Sequence, residues 1–291
     1  FNPSIKDNIP FELIDYDTIS TVRKGLSLSP NPHRHTFYEI YYFTEGTGTH
    51  FIDFEPYPFT SPIFYFISPG QVHFWDIKKP IKGKVFLFTE DFLILNPLTQ
   101  TTIEDLPFFY NVMHNPELKI TIAQKETLDP MIKNMAEEFL AKLPGRTSVL
   151  RASLHIFLIY LLRMYTLTHV NEIHSPDHLV MVRKFKHYIA NHLVINLPIN
   201  TYADKLGTSP SHLNDVVKKV TGLSPGKLVR KEIALEAKRL LIHSDMSAAQ
   251  IGYKLEFDDP SYFGRFFKRE TGQSPRQFRK KIMEKYQFFL E

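Results

Sequence analysis

The 291-residue chain has no cysteine, which excludes a disulfide framework and any thiolate metal site and suits a reducing compartment. Long apolar runs are missing too. The most apolar stretch, near Leu154–Leu162, is bounded by Arg151 and Arg163 and is too short to span a bilayer. The opening FNPSIKDNIP has neither a basic n-region nor an apolar h-region, so a cytoplasmic protein with no secretory signal and no membrane contact is expected. Nor does the sequence display a nucleophile–base arrangement, a glycine-rich phosphate loop or a second catalytic carboxylate pair. What is present is enough apolar residue, 43%, for two domains with separate cores.

A net charge of +4 hides an asymmetry. Residues 177–291 carry 20 Lys and Arg against 12 Asp and Glu, whereas the rest of the chain carries 15 against 19. Segregation of this kind points to a C-terminal half that binds a polyanion. That half also contains an internal repeat. Pro210-Ser-His-Leu-Asn-Asp-Val-Val-Lys-Lys-Val-Thr-Gly-Leu-Ser-Pro225 recurs fifty residues later as Pro260-Ser-Tyr-Phe-Gly-Arg-Phe-Phe-Lys-Arg-Glu-Thr-Gly-Gln-Ser-Pro275. Each copy predicts a helix with proline at its first position, a buried stripe (Leu213, Val216, Val217, Val220; Phe263, Phe266, Phe267) and a glycine stop. A short helix precedes each copy, over 198–206 and 248–255, which makes two helix-turn-helix units. A connecting helix of roughly 18 residues, about 225–242, spans about 27 Å. That is comparable with the ~34 Å between successive major-groove faces.

These motifs resemble the AraC/XylS family of bacterial transcription regulators over about 179–281. The resemblance implies sequence-specific binding of double-stranded promoter DNA under control of a small-molecule effector, commonly a sugar. It also implies a homodimer and, for an activator, contact with RNA polymerase. The positions left for DNA are Ser211, His212, Asn214, Asp215, Lys218 and Lys219 in the first unit. In the second they are Ser261, Tyr262, Gly264, Arg265, Lys268 and Arg269. Arg265 stands where the family commonly places a base-contacting arginine, whose fork matches guanine O6 and N7. Lys218, Lys268 and Arg269 suit phosphate. Two positions depart from the family. Asp215 matches Arg265, so the first unit is expected to read different bases or to bind more weakly. Glu256 stands where the second turn usually has glycine, leaving open a strained glutamate or a different turn.

Residues 1–95 read as short strands, Phe37–Thr44, Thr49–Phe54, Ile63–Ile67, Val72–Ile77 and Lys84–Thr89, with turns at 45–48 and 68–70. Such a pattern favours a barrel or sandwich. His33, His35 and Glu39 alternate, Gly46 follows, and Pro69-Gly70-Gln71-Val72-His73 adds a histidine. This spacing resembles the two motifs of the cupin barrel. The resemblance implies either an effector site, with Tyr41 and Trp75 joining His33, His35, Glu39 and His73, or a divalent ion held by the three histidines and Glu39. Imidazole and carboxylate suit iron, manganese, nickel or zinc. No cofactor is required by the regulator reading. The rival reading, a metal-dependent cupin oxygenase or isomerase fused to a DNA-binding domain, rests on those four residues alone.

The expected fold is α+β: a cupin-like sensor barrel over 1–123, helices at 124–143 and 147–169 forming a dimerisation segment over 124–170, a linker over 171–178, and an all-α DNA-binding domain over 179–291. The stretch 96–123 reads as irregular.

Overall fold

In the computed structural model, residues 9–15, 31–94, 103, 106–109, 115–168, 176–192 and 197–287 are described. The chain divides into two compact units, one of Phe1–Ser29 with Arg34–Glu172 and the other of Pro30–His33 with Ile173–Glu291.

The first unit is built on strands β1 (Phe11–Asp15), β2 (Tyr38–Ile52), β3 (Glu55–Thr60), β4 (Ile63–Ile67), β5 (His73–Phe88) and β6 (Glu117–Lys119). They pair antiparallel in the order β1-β5-β2-β4-β6, with β3 on β2. The ladder between β2 and β5 runs from Tyr38↔Phe88 to Ile52↔His73. Strand β2 runs through 45–48, which the sequence reads as a turn, and β5 joins the runs Val72–Ile77 and Lys84–Thr89, which it reads as separate strands. The reason is local. At residues 43–48 the register shifts repeatedly, and bulges of this kind absorb extra residues while bending the strand. Gly46 takes φ +110 there, and on β5 a Cβ on Gly83, the partner of Phe43, would lie 1.9 Å from the Tyr42 carbonyl oxygen. Glycine at these two sites therefore serves close strand passage and not chain reversal.

Alternate residues of β2 enter different cores. Tyr38, Ile40 and Tyr42 face the outer layer, whereas Tyr41 and Phe43 face the curled interior with Trp75, Tyr65 and Phe59. With both faces covered, the strand reads as an apolar run instead of an alternation. The outer layer consists of α2 (Ile122–Ala141) and α3 (Arg146–Thr168), reached from β5 by the short α1 (Glu90–Ile94). Thr121 and Gln124 form a capping box that starts α2. Of the apolar stripe read from sequence on α3, Leu150, Leu154, Phe157, Leu158, Leu161 and Tyr165 are buried and Leu162 is half-buried against the same core. Tyr42 Oη donates to Asp129 Oδ1 at 2.8 Å, tying β2 to α2. By length and composition α3 is apolar enough to cross a membrane, which the shorter run read from sequence did not reach.

The second unit is α-helical: α4 (Pro176–Asn191), α5 (Ile199–Lys205), α6 (Pro210–Thr221), α7 (Pro225–His243), α8 (Ala248–Lys254), α9 (Pro260–Thr271) and α10 (Pro275–Gln287). Helix α4 takes in the last residues of the expected linker, while 171–175 lie outside the described residues. The repeated positions turn out to be capping positions. Ser209 Oγ accepts from His212 N at the start of α6, and Asp259 accepts from Ser261 N and Tyr262 N at the start of α9. Gly222 and Gly272 close the two helices at φ 70 and 78, each donating its N–H to a lysine carbonyl, Lys218 or Lys268. Thr221 and Thr271 each bond back to the carbonyl four residues earlier, Val217 or Phe267.

Candidate functional site

The two helix-turn-helix units are α5–α6 and α8–α9. On α6, Leu213, Val216, Val217 and Val220 are buried, and Ser211, His212, Asn214, Asp215, Lys218 and Lys219 are exposed. On α9, Phe263, Phe266 and Phe267 are buried while Ser261, Tyr262, Arg265, Lys268 and Arg269 are exposed; Gly264 is half-buried. Each helix therefore presents a polar row opposite its core stripe. Arg265 Nη2 lies 3.7 Å from the N-cap carboxylate of Asp259. The bonds from Ser261 and Tyr262, with Arg265 nearby, hold the Asp259 carboxyl below its ordinary value. At the position matching Arg265, Asp215 places a carboxylate on an exposed face, a group that accepts from cytosine N4 but repels phosphate.

The turn at Glu256 is not different after all. Glu256 takes φ 59, close to the φ 64 of Gly207. Leu206, Gly207 and Thr208 make the same backbone bonds as Leu255, Glu256 and Phe257, down to Thr208 N→Ala203 O and Phe257 N→Gly252 O, both 3.0 Å. The second unit therefore keeps the left-handed turn and places a glutamate in it.

In the first unit the structure gathers His35, Glu39, Tyr41, His73 and Trp75 on the inner face of the curled sheet. Glu39 is 2% exposed, and a buried carboxylate needs partners. Its Oε1 lies 3.4 Å from His35 Nε2. Its Oε2 lies 3.1 Å from His73 Nε2 and accepts from Tyr41 Oη at 3.2 Å. Burial pushes His73 down to about 3, with the charge of Asp53 acting the other way. His33, half-buried, donates from Nδ1 to Asn31 O at 2.9 Å. Its ring and those of His35 and His73 offer nitrogens all within 4.8 Å of one another.

Sequence reasoning missed His50. The register pairs it with Trp75, and the two rings stack at 3.4 Å. His50 Nε2 sits 3.1 Å from His73 Nδ1. One tautomer assignment suits both contacts: His50 Nε2–H donates to His73 Nδ1, and His73 Nε2–H faces Glu39. The only legible signal for His50 was its period-2 spacing with Gly48 and Ile52, which means little without the strand register. Trp75 Nε1 is buried and finds no hydrogen-bond partner among the described residues.

Comparison with known proteins agrees with both halves. A model of the AraC-like ligand binding domain matches residues 28–159, and a helix-turn-helix domain model matches residues 202–281. The HTH-type transcriptional activator RhaS of Escherichia coli (strain K12) is 26% identical over 255 residues, covering 85% of this chain and 86% of the relative. Among solved structures, ToxT from Vibrio cholerae is 13% identical and covers 93% of this chain and 98% of its own, with a TM-score of 0.43. The C-terminal domain of AraT from Geobacillus stearothermophilus is 28% identical over 35% of this chain and 84% of its own, with a TM-score of 0.31. With a ligand-binding domain ahead of two helix-turn-helix units, the chain belongs to the AraC/XylS family of transcription regulators.

Proposed function

We propose that the protein reads a bipartite promoter site through α6 and α9 while a small polar effector at the histidine cluster sets its DNA occupancy. The observation carrying the DNA half is the pair of exposed polar rows, each opposite a buried stripe, on helices joined by the 19-residue α7. At 1.5 Å per residue α7 spans about 28 Å, close to one turn of B-DNA. Arg265 is assigned to a guanine, Asn214 and Asp215 to bases of the other half, and Lys218, Lys268 and Arg269 to phosphates. Ser211, His212, Ser261 and Tyr262 complete the contact set. Selection of bound duplexes from a random pool at near-physiological salt tests this. Two enriched halves about one helical turn apart are expected, and enrichment of nothing would sink it.

The effector half rests on the orphaned indole N–H of Trp75 beside His35, Glu39, Tyr41 and His73, with His33 alongside. A buried donor without an acceptor costs about 1–3 kcal/mol, and a ligand oxygen would satisfy it. Hydroxyl-rich molecules such as sugars suit a carboxylate, imidazoles and an aromatic face together. Trp75 is the only tryptophan, so its fluorescence reports binding directly. Titration with a panel of sugars and small polar metabolites should shift the emission for at least one of them, whereas a Trp75 signal blind to every compound that alters DNA binding would remove this site.

The donor set also fits a divalent ion. Ligand nitrogens on one tetrahedral zinc lie about 3.4 Å apart, so the three rings, whose nitrogens lie within 4.8 Å of one another, would close in around it. His33, His35, His73 and Glu39 would hold the ion, which would supply a Lewis acid. Elemental analysis with a turnover assay decides the rival enzyme reading; the regulator reading calls for no turnover. Dimerisation is assigned to α2 and α3, where Leu140, Val149, Ile156 and Leu167 are exposed. A regulator of promoter DNA works in the cytoplasm and, as an activator, meets RNA polymerase there.

A further inference from the structure

A groove of about 720 Å³ runs between the starts of α5 and α7 and the side of α9. Its walls carry Lys227 and Arg230 from α7 and Tyr262, Arg269 and Glu270 from α9. Lys227 and Arg230 are three residues apart and so share one face of their helix. Arg230 Nε and Arg269 Nε come from different helices and meet the same carboxylate oxygen, Glu270 Oε1, at 3.6 and 3.1 Å. Arg269 also lies over the Phe266 ring, 5.7 Å from its centroid. The carboxylate is only 14% exposed, whereas the Arg230 and Arg269 side chains are 40% and 57% exposed. Each guanidinium has five N–H donors, so engaging Nε leaves its terminal nitrogens for a second, anionic partner.

The internal repeat argues that this arrangement is not required by the fold. In the first unit the position matching Glu270 is Val220, which is buried with the rest of its stripe. A helix of this type is therefore complete without the glutamate. At Gly226, also on the wall, an added Cβ would meet only Arg230 Nη1, at 3.6 Å, so the backbone there is bare to an approaching chain.

We infer that the groove seats a stretch of DNA sugar–phosphate backbone, with Lys227 and Arg230 as phosphate contacts beside Arg269 and with Glu270 as the residue that positions both arginines. Three cations against one carboxylate give the charge complementarity. Tyr262 and Arg269 make the groove continuous with the exposed row of α9. The backbone held here is the one passing between the two halves of the site, so its contacts add affinity and register but read no base. The inference rests on the two-unit docking proposed above.

The test uses the full-length protein, a selected duplex and a scrambled duplex of equal length, with affinity measured against salt. Lys227→Ala/Arg230→Ala should weaken binding to both duplexes by a similar factor. It should also lower the slope of log K against log salt by about 2, roughly 0.9 for each phosphate no longer neutralised. Lys78→Ala on β5, 66% exposed, serves as the unchanged control, and Arg230→Gln alone, with a slope change of about 1, covers the case in which the double variant folds poorly. Glu270→Gln should behave as a weaker version of Arg230→Gln. An unchanged slope with tight wild-type binding overturns the seat alone. Weakening confined to the selected duplex would make these residues base readers and overturn it too. Unaltered DNA binding with abolished transcriptional activation would assign the groove to an acidic protein surface instead. A wild type that binds no duplex would take the two-unit docking down with it.

Discussion

At position 265 an arginine side chain, 70% exposed, stands next to the N-cap of its own helix. Arg265→Ala should lower affinity for the selected duplex by about 1–3 kcal/mol and relax preference at one base pair, as read by titration against matched and substituted duplexes. An unchanged footprint and affinity would remove it from that role. Its capping neighbour Asp259 gives a pH signature. The folded-state pKa of Asp259 is lowered, so its contribution is fully present above the ordinary carboxylate value and is lost as pH falls through the folded value. Asp259→Asn keeps a capping side chain without the charge. The melting-temperature gap between wild type and this variant should therefore close as pH drops below about 4; a gap that is constant with pH contradicts the assignment. Glu256, at φ 59, carries strain on the order of 1 kcal/mol. Glu256→Gly should recover part of it, since glycine gives back about half to all of that in unfolded-chain entropy, and chemical denaturation should find the variant no less stable than wild type.

At the scale of elements, what holds α10 in place is visible. Arg279 donates to the carbonyls of Leu241 (2.7 Å), Ser244 (3.3 Å) and Met246 (2.7 Å), closing the end of α7 and the loop that follows. Arg279→Ala strands those acceptors and should cost the C-terminal unit about 2–3 kcal/mol, measurable as a shift in its urea midpoint. The legibility of elements followed their chemistry. Helices α6 and α9 fall on the residues read from sequence because serine or aspartate, proline and glycine mark both ends. Strands β2 and β5 were read as four pieces because glycine at 46, 48 and 83 carries the same local signal for a bulge as for a turn. Strand β6, only three residues long, has no period to detect. Of the inner-face cluster, the alternating His33, His35 and Glu39 and the turn before His73 were legible. His50 was not, because its place depends on a cross-strand register that no local pattern encodes.

For the molecule as a whole, the exposed apolar side chains of α2 and α3 predict self-association. Ile156→Glu should shift the sedimentation coefficient toward that of a monomer without altering unit stability, because Ile156 lies outside the buried stripe of α3. The charge imbalance between the halves predicts that the N-terminal unit adds little to non-specific DNA attraction. Helix α7 has a consequence for promoters. A helix neither stretches nor bends appreciably over 19 residues, so it acts as a gauge block between the two readers. Inserting one base pair between the half-motifs displaces one by about 3.4 Å and rotates it by about 35° around the duplex. The grammar of the target site is thus as much a matter of spelling distance as of spelling bases, and genomic sites with altered spacing should go unread even when every contacted base is correct.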